Sequence, residues 1–323
     1  MKRLLRRVGT VTATILFIAL PITAWQHKLG IYDWARLRNY TANPTIAKLA
    51  TDTTMTSQGR HVFYVYHPKV ESKQSFAQHC RNNEQTIVLG CYVSGIGIYI
   101  YDVTDVRLTG VEEVTAAHEM LHAAYERLKP QEKQKINALL NQAFAKVDDK
   151  RIRTNIESYQ KAGADVTNEL HSILGTEVKN LPPDLEAYYK RYFSDRSRIV
   201  AYSDQYEALF TERQNRVAAA DVSLKNLKAQ IDSLDASLKT QAEDLRTERE
   251  RMNGLLSSNR INEYNAAVGP YNQQVARYNT DVTTEKNLVG QYNAIVNERN
   301  SLVLEEKDLI NALDSRTNTL QTR

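Results

Sequence analysis

The spacing of hydrophobic residues divides this chain into three parts. An uncharged stretch, residues 8–25, lies near the start of the sequence. Short apolar segments with helical or strand spacing follow as far as about residue 200. Beyond that point apolar residues recur every seven positions in a polar background with few glycines and prolines. This pattern predicts an α+β domain followed by a long helical segment.

The middle part is predicted to contain a small sheet and several helices. Residues 61–66, 86–93 and 96–103 are rich in β-branched and aromatic side chains, which favours three strands. The third strand alternates Ile with Gly and Tyr, so we expect its backbone either to accept an extended substrate as a further strand or to be an ordinary core or edge strand. Helices are predicted on both sides of the strands, which makes the domain at residues 26–200 α+β.

The C-terminal part, residues 201–323, is predicted to be an antiparallel coiled-coil hairpin. Its two heptad series are Phe210, Val217, Leu224, Ile231, Leu238, Leu245 and Met252, and then Ile261, Val268, Val275, Val282, Val289, Val296, Val303 and Ile310. The second series keeps its phase through Gly269-Pro270, so we expect one kinked helix there and a turn at residues 254–259. Arms of this length predict a hairpin of roughly 65–75 Å.

One predicted helix of the middle part carries a motif with specific chemistry. Its sequence VTAAHEMLHAAY places His118 and His122 four positions apart, with Glu119 directly after the first histidine. Residues four apart on a helix share a face, so the two imidazoles converge on one metal ion while the carboxylate leans over the same point. This arrangement predicts a zinc hydrolase.

The residues around the motif predict the helix that it needs. Thr109 and Glu112 form a capping-box pattern, and Pro130 interrupts the helix, so we expect it to span residues 110–128. The alternative is that both histidines simply belong to the core. Metal binding is favoured because burying two imidazoles and a carboxylate on one helix face costs free energy without a metal or a charge partner.

A catalytic zinc site takes three protein ligands and leaves a fourth position for water. Glu169 is our favoured third ligand, because it lies near the start of a short helix predicted within residues 165–177, which Asp165 or Thr167 can cap and Gly175 can end. Glu177 and His171 are the alternatives.

The segment HEMLH, residues 118–122, and the later pair Asn168-Glu169 resemble the gluzincin branch of the zincin metallopeptidases, which includes thermolysin. The resemblance covers the chain from the predicted strands to Glu177. It implies a compact zincin-like fold with a second helix that supplies the third ligand. By position it implies the zinc ligands His118, His122 and Glu169, and the general base Glu119.

The chain departs from the gluzincin pattern at one position. Gluzincins commonly carry an Asp four residues after the third-ligand Glu, where it orients a histidine ligand, and here that position is Ile173. We expect Glu113 or a backbone carbonyl to take its place, since zinc-bound histidines need such an acceptor. Candidates for stabilising the oxyanion of the reaction are His171, Tyr188 and Tyr189. Tyrosines in such a tyrosine-rich segment more often pack in the core than take part in catalysis.

Charge bears on the partners and location of the protein. With 42 basic and 38 acidic residues, a net charge of +4 and no basic run beyond residue 7, the sequence does not favour nucleic acid as a partner.

Basic residues precede the apolar stretch 8–25. This pattern predicts a cell-membrane protein in which residues 1–25 are a signal anchor, the N-terminus is cytoplasmic and the bulk of the chain lies outside. Cleavage near Ala24, which gives a secreted protein, is the alternative.

The chain has two cysteines, Cys80 and Cys91. Their spacing and the predicted export favour a disulfide, which would stabilise the fold by about 2–3 kcal/mol. Two free thiols, or a metal site that also uses His79, are the alternatives.

Together these features predict an exported zinc metallopeptidase with Zn²⁺ as cofactor and a peptide or protein as substrate. The alternative is a non-catalytic surface adhesin or scaffold with a structural metal, whose coiled coil binds a protein or cell-envelope partner. The two hypotheses differ at Glu119, because a structural metal site needs no general base.

Overall fold

The computed structural model describes residues 27–80, 87–163 and 165–316. The chain is mostly helical and has a small three-stranded mixed sheet and a long C-terminal helix pair, in agreement with the predicted α+β class. The described residues form two compact units. The first comprises the residues up to Glu207 together with those from Asn311 onward, and the second comprises Ala208–Ile310.

The first unit contains three strands and a series of short helices. In chain order these are α1 (Lys28–Leu37), α2 (Pro44–Asp52), α3 (Ser57–Val65), β1 (Lys69–Glu71), α4 (Lys73–His79), β2 (Gly90–Val93), β3 (Gly97–Tyr101), a 3₁₀ helix (Val106–Leu108), α5 (Val111–Glu126), α6 (Pro130–Phe144), α7 (Lys150–Ala162), α8 (Val166–Glu177), α9 (Pro183–Tyr189) and the start of α10 (Ser197–Ser257). Helix α11 (Ile261–Leu313) follows α10 and ends in the first unit.

Two of the predicted strands are present, and one prediction is wrong. Residues 61–66 lie largely in helix α3, because Thr56 caps its first turn and Val62, Phe63 and Val65 are buried there. The third strand of the sheet is instead β1. High β propensity at these residues is outweighed by the cap and by burial at helical spacing.

The order of the strands also shows which of the two expectations for the third predicted strand, now β3, is right. Strand β3 lies in the centre, parallel to β1 and antiparallel to β2. Both edges of β3 are therefore paired, and it offers no edge to a substrate. Strand β2 lies at the edge of the sheet.

The core of the first unit is built around helix α5. Thirteen of its sixteen residues are buried, and the helix contacts α2, α3, α8 and strands β2 and β3. Small side chains such as Ala116, Ala117 and Ala123 let these elements approach closely. The helix that carries the metal motif is thus the most enclosed element of its unit.

The second unit is a pair of antiparallel helices, as the heptad series predict. Polar contacts cross from α10 to α11, among them Arg213–Glu305, Arg216–Glu298 and Gln241–Asp281, with sequence numbers that rise on one helix as they fall on the other. The turn lies between Ser257 and Ile261, and α11 continues through Pro270.

The membrane prediction is corrected. No helix in the described part of the chain is long and apolar enough to cross a membrane, because the long helices carry charged residues in almost every turn. This finding contradicts the predicted cell-membrane localisation. The stretch 8–25, on which that prediction was based, lies outside the described residues.

Candidate metal centre

Helix α5 starts differently from the way the sequence suggested. Gly110, with φ of +104°, precedes the first turn, and no side chain caps the helix. The Glu112 carboxylate accepts a hydrogen bond from the backbone N–H of Val103 at 2.9 Å, and the Thr109 hydroxyl donates to the carbonyl of Val106. The capping-box prediction is therefore wrong, because both partners bind the preceding loop.

The motif residues meet on one side of α5. The rings of His118 and His122 lie 4.7 Å apart between centroids, at 71° to each other. One potential ligand atom from each of His118, Glu119 and His122 lies within 4.8 Å of the others. The three groups are thus close enough to face one ion.

Helix α8 brings Glu169 to the same point. The Asp165 side chain caps α8 by accepting from the backbone N–H of Asn168, and Glu169 lies in the first turn. Its Oε2 lies 3.7 Å from Nε2 of His118 and 3.6 Å from Nε2 of His122.

These separations can be compared with those of a real zinc site. Ligand atoms about 2.1 Å from one ion, at the tetrahedral angle, lie about 3.4 Å from each other. The carboxylate oxygen of Glu169 is within a few tenths of an ångström of that separation from both imidazoles. Two nitrogens and one oxygen are also the donor set that suits zinc. The residues present therefore fit the ion that the sequence predicts.

The two alternative third ligands are differently placed. Glu177 lies at the cleft but accepts a hydrogen bond at 2.6 Å from Arg151, which also lies 3.3 Å from Glu207. His171 is fully buried, and its Nε2 lies 2.8 Å from the hydroxyl of Tyr188. Glu177 is thus held by a guanidinium, and His171 lies inside the core.

The acceptor expected behind the histidines is also different. Glu113 lies 3.7 Å from Lys48 and does not reach either histidine in the described contacts. Asn168 instead lies near enough to His122 to raise its pKa, although burial outweighs this, and the buried Oδ1 of Asn168 has no hydrogen-bond partner among the described residues. Ile173 is a core residue. The Asn168-Glu169 pair is visible in the sequence, but only Glu169 is assigned a role there.

Strand β2 lies directly against Glu119. A Cβ added to Gly90 would lie 2.9 Å from Oε1 of Glu119 and 2.5 Å from the Thr115 side chain, so only glycine allows this approach. The backbone N–H of Tyr92, two residues further along β2, lies near enough to the Glu119 carboxylate to lower its pKa, although burial outweighs this. The edge strand therefore lies directly beside the predicted base.

The pKa values of the motif residues diverge because the groups are buried together. Burial tends to lower the pKa of His118, but the nearby carboxylates of Glu169 and Glu119 outweigh this and raise the pKa to about 9. Burial and the neighbouring His118 lower the pKa of His122 to about 4. Burial raises the pKa of Glu119 to about 7. Such divergence is typical of functional sites.

These groups line a cleft of about 510 Å³ in the first unit. Its walls come from β2, α5, α7 and α8, and Tyr159 and Tyr206 add aromatic surface. Tyr188 and Tyr189, the other candidates for stabilising an oxyanion, are buried elsewhere, and the Tyr189 hydroxyl donates to the carbonyl of His171. Sequence reasoning did not find Tyr206, since nothing in the local pattern distinguishes it from the other tyrosines.

Cys80 and Cys91 form the predicted disulfide, with Cα atoms 5.8 Å apart. Cys91 belongs to β2 and Cys80 directly follows α4, so the crosslink attaches the edge strand to that helix. Both cysteines also border the cleft. A metal site formed by the cysteines with His79 is excluded.

Comparison with protein-family models found no matching family, and searches of the curated proteins and of the solved structures returned no similar protein. A functional assignment therefore depends on the residues of the cleft and their geometry.

Proposed function

We propose that this protein is a zinc-dependent peptidase of the gluzincin type. The proposal depends above all on one observation: Glu169 Oε2 lies 3.6–3.7 Å from Nε2 of both motif histidines. His118, His122 and Glu169 would hold the ion, leaving a fourth position toward the cleft. Bound zinc supplies a Lewis acid that polarises a scissile carbonyl and acidifies a water molecule.

Glu119 is the proposed general base. Its carboxylate lies beside the two histidines, and the backbone of Tyr92 lies close to it. It takes a proton from the attacking water and passes it to the amine that leaves when the C–N bond breaks. Asn168, whose buried Oδ1 has no hydrogen-bond partner among the described residues, is the proposed acceptor for His122.

The edge position of β2 supports a peptide as substrate. An edge strand has unpaired backbone N–H and C=O groups on its outer side, and an extended peptide bonds to such groups regardless of its side chains. Gly90 and Tyr92 of β2 contact Glu119, so a peptide paired there passes the proposed base.

The substitution Glu119→Gln tests the proposed base. Glutamine has nearly the same shape but accepts no proton, so we expect the variant to retain zinc and to lose hydrolysis of fluorescein-labelled casein by at least about a hundredfold. Zinc content by atomic absorption and the rate of casein cleavage are measured on the same samples. A Glu119→Gln protein that cleaves at the wild-type rate contradicts the mechanism.

A further inference from the structure

A second histidine–carboxylate pair, His79 with Glu71 of β1, lies at the border of the cleft. Nδ1 of His79 lies 2.8 Å from Oε2 of Glu71 and 3.1 Å from the carbonyl oxygen of Ser75. Both partners are acceptors, so Nδ1 bears a proton. The imidazole also stacks on Tyr99, with centroids 4.1 Å apart and planes at 7°. The ring is therefore held in one orientation from two sides.

This orientation leaves Nε2 as the polar ring atom of His79 that is open to a ligand. The residue lines the cleft, its side chain is 34% exposed, and no group among the described residues bonds to Nε2. A neutral ring accepts a hydrogen bond at Nε2, and a charged ring donates one. A peptide backbone offers both a donor and an acceptor at nearly every residue, so it can satisfy either form.

The disulfide limits the distance between His79 and the proposed reaction centre. The Cα atoms of Cys80 and Cys91 are 5.8 Å apart, and consecutive Cα atoms are about 3.8 Å apart. The Cα atoms of His79 and Gly90 are therefore at most about 13 Å apart. An extended peptide advances about 3.3 Å per residue, so it covers this distance in about four residues.

We propose that His79 is a substrate-binding residue of this peptidase. Its Nε2 bonds a main-chain group of a peptide that lies along β2, within about four residues of the scissile bond. Glu71 and Tyr99 act as positioning residues, because they orient the ring and do not face the substrate. The proposal rests on the peptidase function proposed above.

The test compares His79→Ala with His79→Gln in the full-length, zinc-loaded protein, with fluorescein-labelled casein as substrate. Loss of a contact made equally in the ground and transition states raises KM and leaves kcat unchanged. We expect His79→Ala to raise KM about tenfold with kcat within about twofold of wild type. His79→Gln presents an amide near the position of Nε2, so it should restore most of the affinity.

His61→Ala is the matched control. His61 also pairs with a carboxylate, at 2.8 Å from Asp33, but it does not line the cleft. We expect its KM to equal that of wild type. Glu71→Gln should raise KM less than His79→Ala does, because the ring keeps a hydrogen-bond partner but loses the charged one.

The outcomes separate this proposal from the one on which it rests. An active His79→Ala protein with wild-type KM overturns the role of His79 and leaves the peptidase proposal intact. Loss of zinc or of the folded state in both His79 variants assigns the residue a structural role and also overturns it. Absence of zinc-dependent casein cleavage by the wild-type protein overturns both proposals.

Discussion

At the scale of single residues, the metal motif follows from helix geometry alone. Residues four apart on any helix share a face, so His118 and His122 could be paired from the sequence. Glu169 and His171 could not be separated in this way. Residues two positions apart point about 200° away from each other around a helix axis, so one of the two faces α5 and the other faces the core. Which one does so depends on how α8 packs on α5, and that is a tertiary property.

The same residues predict how zinc binding depends on pH. In the metal-free protein the pKa of His118 is about 9, that of His122 is about 4, and that of Glu169 is lowered by its histidine neighbours. Zinc therefore displaces the proton of His118, and below about pH 7 it also favours loss of the proton of Glu119, whose pKa is about 7. The apparent affinity should rise about tenfold per pH unit between about pH 7 and pH 9, more steeply below pH 7, and level off above pH 9.

Calorimetric titration with zinc at pH 8, where Glu119 is mostly ionised, in buffers of different ionisation enthalpy measures the His118 proton. We expect at least about one proton released per zinc bound. Release of no proton would contradict the protonated His118.

At the scale of the elements, the heptad series predict the two long helices, but they do not predict all of the residues through which α11 packs on α10. Val289, Val303 and Ile310 are 39–40% exposed, whereas Leu302 and Leu309, each one position earlier, are buried. A second series at seven-residue spacing lies one position before the Val series and consists of Leu288, Ile295, Leu302 and Leu309. The far end of α11 therefore carries two overlapping heptad series, and the Leu series is the more buried one. The sequence shows both repeats but not which of them faces α10.

The close approach of β2 to α5 predicts the effect of Gly90→Ala. The new methyl group would lie 2.5 Å from the Thr115 side chain and 2.9 Å from Glu119, so either β2 or the base must move. We expect zinc content to be unchanged and kcat for casein to fall by about tenfold or more, since small displacements of a catalytic group are costly. The control is Gly254→Ala in α10, where the added methyl meets no atom within 4 Å. Equal kcat for Gly90→Ala and wild type would refute the proposed role of β2.

The disulfide predicts a loss of stability when it is removed. It closes a loop with a sequence separation of 11 residues, and such a loop restricts the unfolded chain by about 3 kcal/mol. We expect Cys80→Ser/Cys91→Ser to have a free energy of unfolding lower by about that amount in urea titrations. An unchanged denaturation midpoint would show that the crosslink adds no stability.

At the scale of the whole molecule, the chain leaves its first unit at Glu207 and returns to it at Asn311. The return is fixed by Ser315, which is fully buried and whose hydroxyl donates to the carbonyl of Val88 just before β2. The sequence showed where the helical repeat begins and ends. It could not show that residues after the repeat complete the first unit, because the residues around Ser315 carry no pattern that identifies their partner.

This division predicts that the metal centre does not need the second unit. Packed helices lie about 8–10 Å apart, and a linker of six Gly and Ser residues spans about 13 Å, so it can join Glu207 to Asn311. We expect the protein with Ala208–Ile310 replaced by this linker to keep its disulfide, its zinc content and its rate of casein cleavage. Loss of zinc from a folded protein of this kind would show that the second unit supports the site.

The most direct test of the account is the zinc content of the full-length protein beside its Glu169→Ala and Glu177→Ala variants. Both glutamates come from α8 and border the same cleft, but only Glu169 lies within 4 Å of the two motif histidines. We expect a single zinc ion per chain in wild type and in Glu177→Ala, and little or none in Glu169→Ala. Zinc retained in Glu169→Ala but lost in Glu177→Ala would contradict the proposed ligand set, and absence of zinc from all three proteins would contradict the metal centre itself.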